Sequence, residues 1–324
     1  MKAVLCKKHG PPESLVIEDV PAPQAGPGQV VIRVRSAGVN FPDVLIIENK
    51  YQFKPALPFI PGGEIAGEVQ SLGEGVDTLK VGDRVLANCG WQGFAEEIAL
   101  PAEACFQIPD SMDFEAASAF LLTYGTSHFA LKQRAKLRAG EDLVVLGAAG
   151  GVGIAAIEIG KVMGARVIAA ASTPEKLAVC KEHGADELIN YSQEDLKSKI
   201  KELTGGKGAD VLYDPVGGDY SELALRAMAW DGRFLVIGFA AGDIPRLPLN
   251  IVLLKNCDIV GVFWGAFVGR EPKAHAANVA ELLSWYEEGR IKPHISASYP
   301  LAEVATALRD LSERRVKGKV VIIP

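Results

Sequence analysis

The chain has 324 residues, 48% hydrophobic and 23% charged, a balance expected of a globular protein long enough for two domains. Its formal net charge is −6, with no basic block, so nucleic acid, whose phosphates call for a cationic face, is disfavoured as a partner. Five scattered cysteines without a Cys-x-x-Cys point to a reducing, cytoplasmic setting rather than a disulfide scaffold, the opening residues read as too short and too polar for a signal peptide, and no apolar run reaches the ~18 residues of a membrane span.

Residues 1–120 are expected to be β-rich. Short β-branched runs recur at Leu15–Ile17, Gln29–Arg35, Glu64–Leu72, Arg84–Leu86 and Phe94–Leu100. Turn signals such as Pro11-Pro12, Gly73-Glu-Gly75 and Gly82-Asp83 separate them. Strands of that length and spacing predict a compact barrel. Over residues 113–135 Ala and Leu take up helical spacing.

An apolar run, Leu143–Leu146, then breaks into Gly147, Gly150, Gly151 and Gly153. A helix over 151–163, a strand over 166–171 and a helix over 174–183 follow. Strand, glycine turn, helix and strand within about thirty residues is the order a dinucleotide-binding unit requires. A pyrophosphate sits on the free N–H groups of a helix N-terminus, and glycine stands where backbone meets phosphate. In the G-x-G-x-x-G register the three places fall on Ala148, Gly150 and Gly153. The alanine fits if the turn keeps a negative φ there. A glycine-rich turn in an unrelated α/β domain is the bland alternative.

Further strands are predicted near 187–190, 210–214, 233–238 and 258–262, with helices between. That alternation argues for a parallel, doubly wound sheet. The tail, 267–324, reads as helices Lys273–Glu288 and Leu301–Leu311 and a last strand Lys319–Ile323. The pattern alone leaves open whether the tail returns to the first domain.

Several segments in order resemble the zinc-independent medium-chain dehydrogenases/reductases, in their quinone oxidoreductase (zeta-crystallin-like) branch. They are Ala37-Gly-Val-Asn-Phe-Pro-Asp43, Leu57-Pro-Phe-Ile-Pro-Gly-Gly-Glu64, Gly147–Gly153, Asp210-Val-Leu-Tyr-Asp-Pro-Val-Gly-Gly218, Gly232-Arg-Phe-Leu-Val-Ile-Gly238 and Gly318-Lys-Val320. The resemblance implies a GroES-like β-barrel catalytic domain from 1–120 and 267–324, with a Rossmann domain at 121–266. It implies a cleft between the domains for nicotinamide and substrate, and a cytosolic dimer or tetramer, with a homodimer expected first. Metal-dependent relatives carry Cys where Asn40 stands and His where Gly63 stands. Zinc prefers thiolate, imidazole or carboxylate ligands, and Glu64 alone does not hold an ion, so no metal is expected.

A unit for NAD shows Asp or Glu about twenty residues after the glycines, to hold the ribose 2′-hydroxyl. Here Ser172 and Thr173 occupy that place, followed by Lys176. Hydroxyls and a cation accommodate a 2′-phosphate that a carboxylate would repel, so NADPH is the expected cofactor. Tyr191 matches a family position near the same phosphate. The local alternatives are a helix N-cap for Ser172 or Thr173 before Pro174, a solvated Lys176 and a packing Tyr191. The resemblance adds Thr123, Ala149, Gly150, Gly151, Val152, Gly153, Gly238, Phe239, Ala240, Phe263, Trp264, Gly265 and, more weakly, Lys319 as cofactor contacts, and the Asn40 amide can donate to the nicotinamide ribose. Edge-strand packing is the alternative for Phe263 and Trp264.

Without a metal the acceptor must already be electrophilic: a quinone, or an alkene conjugated to a carbonyl. Either becomes an oxygen-stabilised anion that needs a hydrogen-bond donor or a proton. Asn40 and Tyr51 are the catalytic candidates. The Asn40 amide can donate to an oxygen, or merely cap its own turn. Tyr51 matches a loop tyrosine that resembles the proton donor of enoyl reductases; alternatively it stacks on substrate. Phe53, Leu57 and Phe59 are expected at a pocket lip, and Lys50, Lys54 and Arg270 are candidates to meet an anionic substrate. The expected activity is NADPH:quinone reduction. The alternatives are reduction of an enoyl-CoA (acryloyl-CoA-like) or 2-alkenal with Tyr51 as acid, and a non-catalytic NADPH-binding sensor or structural protein.

Overall fold

The longest β-branched run of the first third folds as one ten-residue strand, and its neighbours are arranged around it. The computed structural model describes all 324 residues, which divide into one unit of Met1–Leu122 with Lys292–Pro324 and a second of Thr123–Ile291. In the first unit β1 (Lys2–Leu5) pairs antiparallel with β2 (Val16–Asp19). The long strand β3 (Gln29–Gly38) follows, then α1 (Phe41–Ile47), β4 (Glu64–Leu72), β5 (Arg84–Asn88), β6 (Glu97–Pro101), β7 (Cys105–Gln107) and α2 (Phe114–Ser118). Along β3, Ile32 and Val34 are buried while Arg33 and Arg35 are exposed, the period of two that fixes which face meets the core. Its first half pairs with β6 and most of its length with β4. Register shifts after Val31 and Val34 bend it, as bulges do where a sheet curls toward a barrel.

The helical region expected over 113–135 forms as separate segments. Asp113 caps α2 by accepting the Ala116 N–H at 2.7 Å. A new helix, α3 (Leu121–His128), starts three residues after α2 ends and runs into a π-helical turn over Phe129–Arg134. The Leu122 N–H, one of the orphan amides of the new N-terminus, donates to Glu64 Oε2 at 2.8 Å.

The second unit then alternates as predicted: β8 (Asp142–Val145), α4 (Gly151–Val162), β9 (Arg166–Ala171), α5 (Pro174–Glu182), β10 (Glu187–Asn190), α6 (Leu196–Leu203), β11 (Ala209–Asp214), α7 (Asp219–Arg226), β12 (Met228–Val236), α8 (Leu249–Lys255), β13 (Asp258–Gly261), α9 (Trp264–Arg270) and α10 (Pro272–Glu287). The six strands are parallel in the order β10-β9-β8-β11-β12-β13. The strand order reverses between β8 and β11, the switch point of a doubly wound sheet. Val144, Ile168, Leu212 and Phe234 fill its core. No helix is long and apolar enough to cross a membrane.

Residues 267–291, expected with the first domain, belong to the second unit. Their contacts are the reason: Phe267 stacks on Phe129 at 4.2 Å, Asn278 bonds Gln133 at 3.0 Å, and Glu281 meets His128 at 2.6 Å. Only from Lys292 does the chain return, through β14 (Ile295–Pro300), α11 (Val304–Ser312) and β15 (Lys319–Ile323). The strand β15 joins the end of β3, with Val321 opposite Gly38, and gives the sheet order β14-β15-β3-β4-β5-β7.

Candidate active site

In the second unit the glycine turn sits at the carboxyl end of β8. Gly147 takes the positive φ, +55°, and Ala148 is not among the left-handed residues, so an alanine fits the first motif place. The Gly150 N–H closes the turn on the Gly147 carbonyl at 3.0 Å. Ile154 is the first amide of α4 to bond back, to Gly150, which leaves the N–H groups of Gly151, Val152 and Gly153 without partners along the helix. The two remaining motif glycines serve different needs. A Cβ on Gly153 would lie 2.6 Å from the carbonyl oxygens of both Gly147 and Ala148. A Cβ on Gly150 would meet only the Gly147 oxygen, at 3.3 Å, on a backbone with φ −81°. The chain's own packing thus demands glycine at 153 and nearly tolerates a side chain at 150. Ala149 lies buried in the turn.

At the end of β9, Thr173 is the N-cap of α5, accepting the Lys176 N–H at 3.3 Å, and Pro174 opens the helix. The capping alternative therefore holds for Thr173, while Ser172 makes no such bond. The Tyr191 N–H donates to the Ala171 carbonyl at 3.2 Å, and its ring packs on Tyr220 at 4.5 Å. Strand pairing thus brings Tyr191 beside the Ser172–Thr173 corner. Lys176 is half-buried on the first turn of α5.

The carboxyl ends of β11 and β12 form a second loop cluster. Asp214 organises it, its Oδ1 accepting the N–H groups of Val216 and Gly217, each at 2.9 Å, and its Oδ2 the Ser221 hydroxyl at 2.5 Å. The Gly238 N–H donates to the Asp214 carbonyl and the Ala240 N–H to that of Pro215, so Gly238, Phe239 and Ala240 are held against this loop with the Phe239 ring exposed. The sequence reading missed Asp214 as an organiser, although an Asp before Pro-Val-Gly-Gly is a turn signal. Phe263 is also exposed, whereas Trp264 is 5% exposed. The Trp264 indole lies where a Gly125 side chain would be, 2.8 Å from an ideal Cβ, and edge-on to His275. Packing thus describes Trp264, and its side chain is unavailable to a ligand. Gly265 is exposed at the start of α9, and Thr123 is buried.

In the first unit three neighbouring strand ends converge. Asn40 follows β3 and is the N-cap of α1, its N–H donating to Asp43 Oδ2 at 2.8 Å. Glu64 opens β4 directly opposite Gly38. Lys319 opens β15, two residues before the Val321 that faces Gly38. The Lys319 ammonium donates to the Val39 carbonyl at 2.8 Å, Asn40 Oδ1 at 2.5 Å and Glu64 Oε1 at 3.1 Å. Asn40, Glu64 and Lys319 are each no more than 5% exposed. Gly38 makes this possible, since a Cβ there would lie 2.5 Å from Glu64 Oε1 and 2.1 Å from the Ser118 carbonyl. All three ammonium hydrogens are used within the protein, so Lys319, read from sequence as a weak cofactor contact, has none to offer a phosphate. A lysine opening an otherwise apolar strand was the signal for a buried ion pair.

An ammonium only donates, so the Asn40 oxygen must face Lys319 and the amide orientation is fixed. Its Nδ2 donates one hydrogen to the Gly38 carbonyl at 3.3 Å. The second has no acceptor within the chain. Burial lifts the Asp43 carboxyl from its ordinary 3.8 to about 7, against the pull of the Asn40 amide and of Lys319. Tyr51 packs half-buried against the barrel core, 5.9 Å from the Phe53 ring. Burial, and next the nearby Asp43 carboxylate, push its phenol up. Phe53 and Leu57 are exposed, as a lip residue would be. Phe59 is not: it is 6% exposed and exchanges backbone hydrogen bonds with Cys6, so it belongs to the core. Lys50 is paired with Glu48 at 2.7 Å.

For zinc the donor set fits poorly. Asn40 and Gly63 offer no anionic or imidazole ligand. The Glu64 carboxylate already bonds an ammonium and the Leu122 amide, and burial pushes the neighbouring Cys89 thiol up, away from thiolate.

Residues 26–110 match the family model described as alcohol dehydrogenase GroES-like domain, and residues 151–285 the one described as zinc-binding dehydrogenase. A quinone oxidoreductase-like protein 2 homolog of Nematostella vectensis is 44% identical over 99% of this chain and 88% of its own length. A quinone oxidoreductase of Pseudomonas aeruginosa is 36% identical over 100% of this chain and 99% of its own. The solved structure of an Escherichia coli quinone oxidoreductase complexed with NADPH superposes with a TM-score of 0.93 at 28% identity, covering both chains fully. The first unit is thus the GroES-like domain and the second the Rossmann domain. Fold, glycine turn and full-length relatives together make the chain a member of the medium-chain dehydrogenase/reductase family, in its quinone oxidoreductase branch.

Proposed function

We propose that the chain is an NADPH-dependent, zinc-independent oxidoreductase that delivers a hydride to a quinone. The observation that carries this reading is the buried Lys319–Asn40–Glu64 cluster. It holds an ammonium, paired with the Glu64 carboxylate, against the Asn40 amide oxygen and leaves one Asn40 N–H for an acceptor oxygen. The solved relative with NADPH bound supports the cofactor, as does the turn at Gly150, whose missing side chain the packing does not require.

NADPH, when bound, supplies the hydride. The residues that would hold it are the amides of Gly151, Val152 and Gly153 for the pyrophosphate, Ser172, Lys176 and Tyr191 for the 2′-phosphate, and Ala149, Gly238, Phe239, Ala240, Phe263 and Gly265 for the remainder, with Thr123. A quinone that accepts a hydride is left as the hydroquinone anion and takes one proton to finish. The Asn40 N–H stabilises that oxygen as charge develops, the role in which a fixed donor contributes most. Alcohol oxidation, which leans on a metal to stabilise an alkoxide, is not proposed.

A second reading, reduction of an enal or enoyl thioester, is favoured by Tyr51. Its phenol carries its proton at neutral pH, as a donor to a nascent enolate must, although burial pushes it up and so makes it a weaker acid than a free phenol. The test is NADPH and NADH oxidation followed by absorbance with a quinone, an enal and a short enoyl-CoA. Turnover of NADPH with the quinone is expected. Turnover with the thioester alone would transfer the assignment to the second reading, and tight NADPH binding with no turnover would leave a sensor.

We further propose a cytoplasmic homodimer. Leu249, Leu253 and Leu254 of α8 are 69–78% exposed, and β13 leaves an open edge on the same unit's sheet; an exposed apolar patch and an open edge both mark an interface. A monomer in sedimentation, unchanged by Leu253→Glu, would contradict this.

A further inference from the structure

The buried Lys319 has all three ammonium hydrogens bonded within the first unit and none left for a cofactor phosphate. A lysine is almost never fully buried unless paired, yet Lys319 begins a strand whose other residues are Val, Val, Ile and Ile, all but the last buried. We propose that Lys319 is a positioning residue for the reduction: its ammonium fixes and polarises the Asn40 amide so that the remaining Nδ2 hydrogen meets the acceptor oxygen. This rests on the assignment of Asn40 to that oxygen.

Geometry supports it in three ways. First, the 2.5 Å bond to Asn40 Oδ1 and the 3.3 Å bond from Nδ2 to Gly38 leave the amide one orientation. Second, a cation on the carbonyl side draws electron density from the nitrogen and strengthens its N–H as a donor, the cooperativity of a hydrogen-bond chain at low dielectric. Third, Glu64 is itself anchored by the Leu122 amide, so the ammonium is held from both sides. The cap of α1 uses the Asn40 backbone N–H, which donates to Asp43 Oδ2 at 2.8 Å, and neither of the Nδ2 hydrogens. The charge is fixed in the fold rather than recruited with a ligand, and its distance to the donor is set by the register of β15 on β3.

Lys319→Met alone strands the Glu64 carboxylate and can fail to fold, so the informative protein is the doubly substituted Lys319→Met/Glu64→Gln, which is neutral and keeps an acceptor for Leu122. The NADPH dissociation constant, read by nucleotide fluorescence, is expected to stay within about twofold of wild type, while kcat with quinone falls at least about tenfold, since removing a whole oxyanion donor costs roughly a hundredfold or more. Lys319→Arg is expected to recover part of the loss. A readout independent of turnover is the side-chain amide signal of Asn40 in the nitrogen–proton spectrum, assigned by its loss in Asn40→Asp. It should move upfield in the double variant without substrate present. An unmoved amide signal, or an unchanged kcat in the folded double variant, overturns the proposal. A weakened NADPH affinity with unchanged kcat overturns it also, and returns Lys319 to the cofactor. If the wild type turns over no acceptor while the amide signal still moves, the assignment of function fails and the positioning of Asn40 stands.

Discussion

Gly150 and Gly153 lie one turn apart and are predicted to fail in different ways when each becomes alanine. At Gly153 the new Cβ lies 2.6 Å from two backbone carbonyl oxygens, and neither can swing aside as a flexible side chain could. Overpacking of that kind costs about 1–3 kcal/mol, and two rigid contacts argue for the upper half, a fall in melting temperature of roughly 5–10 °C. At Gly150 φ is −81° and the single close atom is at 3.3 Å. Alanine there gains about 0.4–1 kcal/mol by restricting the unfolded chain and loses a comparable amount, about 0.5–1 kcal/mol, as a poorer N-cap, so stability stays within roughly 0.5 kcal/mol of wild type. The methyl then stands where a phosphate approaches the helix amides. Losing one hydrogen bond to a charged group, about 1.5–3 kcal/mol, weakens NADPH roughly ten- to hundredfold. Thermal melts and nucleotide-fluorescence titrations on the same preparations separate the two effects. If Gly150→Ala binds NADPH as wild type does, the turn is not the phosphate cradle and the cofactor assignment loses its base.

Ser172→Asp should set a carboxylate against the 2′-phosphate without disturbing the Thr173 cap, lowering kcat/KM for NADPH at least about tenfold and favouring NADH; an unchanged ratio would remove this corner from cofactor selection. Tyr51→Phe should reduce kcat with enoyl substrates by a hundredfold or so and leave quinone turnover unchanged, and an unaffected enoyl rate would show that the phenol is not the acid. Asp43 gives a pH prediction of definite sign. The folded chain keeps this carboxyl protonated up to about pH 7, while the unfolded chain loses the proton near 3.8, so in that window the native state binds more protons and stability falls as pH rises. Asp43→Asn should flatten the fall between pH 5 and pH 8 by up to about 3 kcal/mol, read from urea midpoints, and an unaltered slope would mean that another group carries it.

The dinucleotide unit was legible because its signals are local: a buried apolar run, glycines at fixed offsets and an apolar helix, all within thirty residues. The parallel sheet followed from the alternation of such units. Lys319 was not legible in the same way. Its partners Asn40 and Glu64 are 279 and 255 residues away in the chain and meet it only because β15 lies next to β3 and β3 next to β4. Phe59 was misjudged because local hydrophobicity marks a residue as apolar but does not say which face of the barrel it enters, and its backbone pairing with Cys6 turns it inward. The domain boundary drifted for a related reason. The side chains that hold α9 and α10 to the second unit include an Asn–Gln bond, a His–Glu pair, a stacked ring pair and the Trp264 indole against Gly125, none of which leaves a periodic trace in sequence.

The central claim is hydride transfer from NADPH with no metal. It is tested most directly by following NADPH oxidation with a quinone, using protein dialysed against chelator and assayed for residual zinc. Unchanged turnover by metal-free protein is the result predicted here; turnover lost with the metal and regained on adding zinc would contradict it.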